Sequence, residues 1–224
     1  MEILFDTANL ADIEALTPIY PVSGVTTNPT IIKAAGRIDF YNHFRRIREI
    51  IGADRTLHVQ VLAQDTPGIL ADAEKLLTKI DSSVYVKIPT TEAGIHAMRI
   101  LKGQGVNVTA TGIYSKTQGL LAVASGADYI APYFNRMESL DIDTGATIKS
   151  LATFIRRHGV SCKIMAASFK NVAQVSAAFE AGASAVTLAP DLLRRALGAS
   201  EIMHAVDDFA RDWHDTFGTD GLPD

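Results

Sequence analysis

Short apolar runs rich in β-branched residues alternate along the chain with longer segments whose apolar residues recur at three- and four-residue spacing, and the alternation repeats about eight times. The runs predict strands near 2–6, 23–27, 56–62, 84–88, 107–112, 128–133, 162–167 and 184–188. The intervening periodicity predicts helices, such as 65–80, 91–105, 115–126, 144–159 and 171–182. Asp65 and Thr90 or Thr91 stand where a first turn needs a capping side chain, and Gly105, Gly126, Gly159 and Gly182 stand where a helix end favours a left-handed residue. The run Val84-Tyr85-Val86-Lys87-Ile88 is apolar at nearly every position, as in a parallel strand covered by helices. Eight such units close most simply into an α/β fold of the (β/α)8 TIM-barrel type. A further amphipathic segment, about 200–217, carries Ile202, Val206, Phe209, Trp213 and Phe217 at helical spacing and predicts an additional C-terminal helix. It packs either on its own barrel or, as an arm, on a neighbouring subunit; the tail 219–224 is expected to fray.

A length of 224 residues suits one barrel domain, 1–224, and no linker or shift in composition divides it. The net charge is −4 with both signs interspersed, so neither nucleic acid nor an anionic membrane is expected as partner, and a small molecule is. Cys162 is the single cysteine, which excludes an intrachain disulfide and fits a reducing compartment. The six histidines are scattered without metal-ligand spacing and read as surface or helix-edge residues, so no metal is expected. The first residues lack the pattern of a signal peptide, and no apolar stretch approaches a membrane span. A cytoplasmic protein is the expectation.

In a barrel of this kind the chemistry sits where strands end, so polar residues closing apolar runs are the candidates. Lys87 lies inside such a run, where an ammonium pays for desolvation unless it is paired or partly neutral. It is a candidate imine former, or else a salt-bridged or snorkelling lysine. Asp6, Thr26, Thr27, Asn28, Gln60, Thr111 and Tyr133 end or follow other strands. Each has a plainer reading, since Asp6 could cap a helix, Asn28 could sit in a turn before Pro29 and Tyr133 could belong to the core. Together they converge on one end of a barrel. Arg136, Ser168 and Lys170 follow late strands and suit an anionic group.

The segments Phe5-Asp6-Thr7-Ala8-Asn9, Gly24-Val25-Thr26-Thr27-Asn28-Pro29, Val86-Lys87-Ile88-Pro89, Ala131-Pro132-Tyr133, Asn135-Arg136 and Ala166-Ala167-Ser168-Phe169-Lys170 stand in order at barrel-consistent spacing. With these the chain resembles the transaldolase family over essentially its whole length, and specifically the short bacterial branch that includes fructose-6-phosphate aldolase. The resemblance implies that Lys87 is the Schiff-base lysine, that Asp6 and Asn28 position and protonate groups on the substrate, and that Thr111 helps hold a water near the imine. It implies that Arg136, Ser168 and Lys170 bind a sugar phosphate, with no cofactor. Transaldolases of the family typically carry a glutamate at Gln60 and a phenylalanine at Tyr133; the aldolase branch resembles what stands here. Tyr133 then takes the acid/base role. The implied activity is reversible cleavage of fructose 6-phosphate, with transfer of a dihydroxyacetone unit to erythrose 4-phosphate as the alternative. Thr109 departs from the leucine of the aldolase branch, which bears on donor or acceptor preference. The resemblance also implies a homo-oligomer, a pentameric ring or a decamer.

Overall fold

The computed structural model describes residues 1–222. Two compact units divide the chain, the first running from Met1 to Pro190 and the second beginning at Asp191.

The first unit is a closed barrel of parallel strands, each hydrogen bonded to the next and the last to the first. The strands are β1 (Glu2–Asp6), β2 (Gly24–Thr26), β3 (Thr56–Gln60), β4 (Tyr85–Pro89), β5 (Val108–Ile113), β6 (Tyr129–Pro132), β7 (Lys163–Ala166) and β8 (Ala185–Leu188). The connecting helices are α1 (Leu10–Leu16), α2 (Pro29–Ala34), α3 (Phe40–Ile51), α4 (Thr66–Lys79), α5 (Glu92–Gly103), α6 (Lys116–Ala124), α7 (Phe134–Glu138), α8 (Thr144–His158) and α9 (Val172–Glu180). All eight expected strands are present, and the five helices named from periodicity are α4, α5, α6, α8 and α9. The short helices α2 and α7 add to that pattern. Gly105, Gly126, Gly159 and Gly182 all take positive φ, as expected.

Strand residues alternate between two environments. Val25, Leu57, Val59, Val86, Ile88, Ala110 and Ile130 are fully buried on the outward face beneath the helices. The inward face is apolar at the strand beginnings, where Leu4, Tyr129, Met165 and Ala185 pack together with Tyr85 against them. Tyr129 donates its hydroxyl to Glu2, which also pairs with Lys163. Towards the strand ends the same face turns polar, with Thr26, His58, Lys87, Thr109, Thr111 and Thr187 all buried.

Polar residues cap most helices at this end. Asn28 accepts from Ile31 N at 3.0 Å, Asp65 from Gly68 N at 2.9 Å, Thr91 from Gly94 N at 3.1 Å and Asn171 from Gln174 N at 2.9 Å. Thr90 instead donates to the Thr111 carbonyl. β5 contains a bulge: Ala110 faces Ile130 but Ile113 faces Pro132, so one extra residue enters between them, and Gly112 there has φ of 69°.

α10 (Pro190–Leu197) begins at the boundary between the units, and α11 (Ser200–Phe217) follows it in the second. Trp213 packs on Phe217 with ring centroids 4.3 Å apart. Residues 219–222 are held back on this helix rather than frayed, since Trp213 Nε1 donates to the Gly221 carbonyl and His214 pairs with Asp220. The rest of the expected tail, residues 223–224, lies outside the described residues.

Candidate active site

Lys87 occupies the middle of β4 with its side chain on the inner face, between Gln60 of β3 and Thr109 of β5 in the strand register. It is 3% exposed, and Nζ donates to the Thr27 carbonyl at 2.8 Å. Among the described residues it forms no ion pair. Burial pushes its pKa below the ordinary lysine value, partly offset by the Asp6 carboxylate. The snorkelling and salt-bridged alternatives are thereby set aside.

Asp6 ends β1 and accepts from Thr26 Oγ1 at 2.7 Å. Burial raises its pKa, against the opposing charges of Lys87 and Arg136 and the Thr26 hydrogen bond. It caps no helix; Asn9 does that for α1. Thr26 also shares a hydrogen bond with Thr187 Oγ1 at 2.6 Å, which links β2 to β8 across the inner face of β1 and fixes the face that Asp6 sees. Thr187 was not among the expected residues, because its relation to Thr26 exists only once β8 joins β1.

Asn28 follows Thr26 and Thr27 as the cap of α2, so its carbonyl oxygen is committed to the helix. Gln60 ends β3 with a buried Oε1 that has no hydrogen-bond partner among the described residues. On the far side of Lys87, Thr111 Oγ1 and Tyr133 OH are 2.9 Å apart. Tyr133 begins α7, and burial raises its pKa, opposed by the Thr111 hydrogen bond and the Arg136 charge.

Arg136 lies in α7 with its guanidinium 4.8 Å from the Tyr133 ring centroid and Nη1 donating to Tyr114 OH at 3.1 Å. Ser168 has φ of 65°, a left-handed conformation unusual for a residue with a side chain. Its carbonyl accepts from Asn135 N at 3.0 Å, tying the turn after β7 to the helix that carries Arg136. Lys170 is exposed beside that turn. Asp6, Thr26, Asn28, Gln60, Lys87, Thr111, Tyr133, Arg136, Ser168 and Lys170 therefore all occupy the C-terminal end of the barrel. Two clefts open there, one of about 660 Å³ bordered by Asp6, Asn9 and His43, the other of about 530 Å³ bordered by Pro29, Gln60 and Thr91.

His58 corrects the expectation that the histidines lie at the surface. It is fully buried in the interior below Lys87, stacked on Tyr85 at 4.7 Å, with Nδ1 2.8 Å from Thr109 Oγ1 and Nε2 2.9 Å from Thr56 Oγ1. Burial, with help from the Lys87 and Arg48 charges, holds its pKa well below the usual histidine value. Thr109 is thus engaged with this deeper histidine.

A buried amine among strand-end polar groups, with cationic and hydroxyl groups on the turns beyond, is the equipment for imine chemistry on an anionic substrate. The family model for transaldolase/fructose-6-phosphate aldolase matches residues 3–219. The chain belongs to that family. It is also 48% identical over 213 residues to a protein of Streptococcus pneumoniae named "Probable fructose-6-phosphate aldolase", a likeness that covers 95% of this chain and 96% of the relative. As a member of the transaldolase/fructose-6-phosphate aldolase family the protein is an enzyme of the aldolase type on a TIM barrel. Among the described residues, no helix is long and apolar enough to cross a membrane, and no cluster of three or more His, Cys, Asp or Glu has metal-site geometry.

Proposed function

We propose that the protein is a class I aldolase that reversibly cleaves fructose 6-phosphate to dihydroxyacetone and glyceraldehyde 3-phosphate, with Lys87 as the imine-forming residue. The observation that carries this reading is the buried, ion-pair-free Lys87 amine, biased toward its nucleophilic neutral form by desolvation.

The neutral amine adds to the C2 carbonyl, and loss of water leaves a protonated imine. A proton leaves the C4 hydroxyl, the C3–C4 bond breaks, and its electron pair moves toward the iminium nitrogen. Glyceraldehyde 3-phosphate departs and an enamine remains. Protonation of that enamine at carbon, then addition of water to the imine, releases dihydroxyacetone and the free lysine. The imine supplies the electron sink that a metal would otherwise provide, so activity is expected to survive chelators.

Tyr133 is the acid/base group in this scheme. A neutral phenol, which burial favours here, is donor and acceptor at once. It gives its proton to the hydroxyl that leaves as water when the imine forms; the phenolate, stabilised by the Thr111 hydrogen bond and the Arg136 charge, then takes the C4 hydroxyl proton through a water shared with Gln60 and Thr111 and returns it to the enamine carbon. Asp6 and Asn28 orient the substrate hydroxyls and the carbinolamine, with Thr26 holding Asp6. Arg136, Ser168 and Lys170 take the phosphate. Gln60 with Tyr133, and the name of the pneumococcal relative, favour an aldolase over a transaldolase.

A coupled assay on fructose 6-phosphate, following glyceraldehyde 3-phosphate with and without erythrose 4-phosphate, tests the assignment. Product release without the acceptor is expected; release that depends on it would make the protein a transaldolase. We further propose a cytoplasmic enzyme with one catalytic barrel domain, 1–224, whose α11 is an arm in a five-subunit ring or a pair of such rings. The apolar stripe Ile202, Val206, Phe209, Trp213 and Phe217 supports this. Light scattering that returned a monomer mass at micromolar concentration would remove the ring.

A further inference from the structure

We propose that Tyr114, a residue outside the site expected from sequence, is a positioning residue that holds Arg136 in its phosphate-binding orientation, and that the β5 bulge exists to aim it there. The proposal rests on the reading of Arg136 as a phosphate ligand.

Period-two alternation from Thr109 and Thr111 would put Ile113 inside and Tyr114 outside. The extra residue at Gly112 reverses this. Ile113 becomes the register partner of Pro132 and is fully buried outward, while Tyr114 comes beside Tyr133, its ring edge-on at 5.5 Å and 74°. Re-aiming one side chain is what a bulge near a site accomplishes, and Gly112 supplies the positive φ of 69° that it needs.

Tyr114 is itself held. Its backbone N donates to Gln118 Oε1 at 2.9 Å, and Gln118 Nε2 donates to the carbonyls of Thr90 at 3.2 Å and Gly112 at 3.3 Å. The bulge and the turn into α6 are thus braced by one buttressing amide. The Tyr114 hydroxyl then accepts from Arg136 Nη1 at 3.1 Å while the guanidinium rests over the Tyr133 ring. Arg136 is exposed, and a free arginine there would sample many rotamers. Two fixed contacts, one a hydrogen bond and one a ring face, leave the remaining N–H donors oriented for an oxyanion before substrate arrives. The groups around the guanidinium are Tyr114 from the β5–α6 turn, Tyr133 from the start of α7, and Asp6 from β1 at longer range. None competes as an ion-pair partner at contact distance, which keeps the cation available.

The test compares aldol addition of dihydroxyacetone to glyceraldehyde 3-phosphate with addition to unphosphorylated glyceraldehyde. Tyr114→Phe keeps the ring and removes the hydroxyl. The ratio of kcat/KM for the phosphorylated over the unphosphorylated acceptor is expected to fall about tenfold, through KM for the phosphorylated one, as the loss of one charge-assisted hydrogen bond predicts. In an Arg136→Ala background the same substitution is expected to shift the ratio no further. A ratio equal to that of the unsubstituted enzyme, or an equal loss on both acceptors, would overturn the inference, as would a full additional effect without Arg136. If Arg136→Ala itself leaves the phosphate preference intact, the phosphate reading of the site fails instead, and the two failures are separately visible.

Discussion

Lys87 and His58 are basic side chains on neighbouring strands, and burial biases both toward their neutral forms. For His58 the sign is specific. Its folded pKa is lowered, so below the unfolded value of about 6.5 the unfolded chain binds a proton that the folded barrel refuses, and stability falls as pH falls. Replacing His58 by Gln removes this liability. The difference in unfolding free energy between the native protein and the variant should therefore shrink toward lower pH, with a slope approaching about 1.4 kcal/mol per pH unit below pH 6. Urea titrations at several pH values read it directly; a pH-independent difference would mean that the folded and unfolded chains bind the His58 proton equally and that burial does not lower its pKa. Tyr133→Phe keeps the ring under Arg136 but cuts the hydrogen bond to Thr111, and kcat is expected to drop about 10²- to 10⁴-fold with imine formation retained. The lysine was legible in the sequence because one charge interrupted an apolar run. The depth of His58 was legible too, through its shared parity with Gln60, while Leu57 and Val59 face the helices. Histidine spacing bears on metal sites alone; which face of a strand a histidine occupies follows from strand parity. Tyr114 was not legible, because a single inserted residue at Gly112 inverts the parity on which such a reading depends.

At the scale of elements, each strand end and the helix that follows it are joined through the site. β4 carries Lys87 and ends at Pro89, and α5 begins so close that a Cβ at Gly94 would overlap the Pro89 carbonyl oxygen. That atom is backbone and cannot yield cheaply. Gly94→Ala is therefore expected to cost about 1–3 kcal/mol, seen as a lowered urea midpoint, and to reduce kcat by displacing the strand that carries the amine. An unchanged midpoint would show that α5 can shift without disturbing β4. Periodicity marked α4, α5, α6, α8 and α9 because each spans several turns with one apolar face and its own cap. It bounded these five only, not α1, α2, α3 or α7; α2, of six residues, and α7, of five, show hardly more than one turn of pattern. Both lie beside the site. α2 commits the Asn28 carbonyl as its cap, and α7 takes its Tyr133 cap without a side-chain hydrogen bond, which leaves the phenol to pair with Thr111.

Over the whole barrel, closure brings together what the sequence separates. Asp6, Thr26 and Thr187 lie on β1, β2 and β8 and meet in one hydrogen-bonded chain, while Lys87, Thr111 and Tyr133 arrive from the opposite strands. The interior holds an apolar cluster around Leu4, Tyr129, Met165 and Ala185 below the polar groups at the strand ends, so a single closed sheet carries both packing that stabilises it and the groups of the candidate site. The family resemblance and the eight strands could be read from residues in order; the Thr26–Thr187 contact could not, because it depends on the first strand meeting the last. The proposed chemistry turns on Lys87 forming the imine. Borohydride reduction of the enzyme mixed with fructose 6-phosphate, followed by mass spectrometry of the digested protein, tests it most directly. Irreversible loss of activity and a reduced dihydroxyacetone adduct on the peptide containing Lys87 are expected, with neither adduct nor turnover in Lys87→Met. Full activity after borohydride, or an adduct on another lysine, would contradict it.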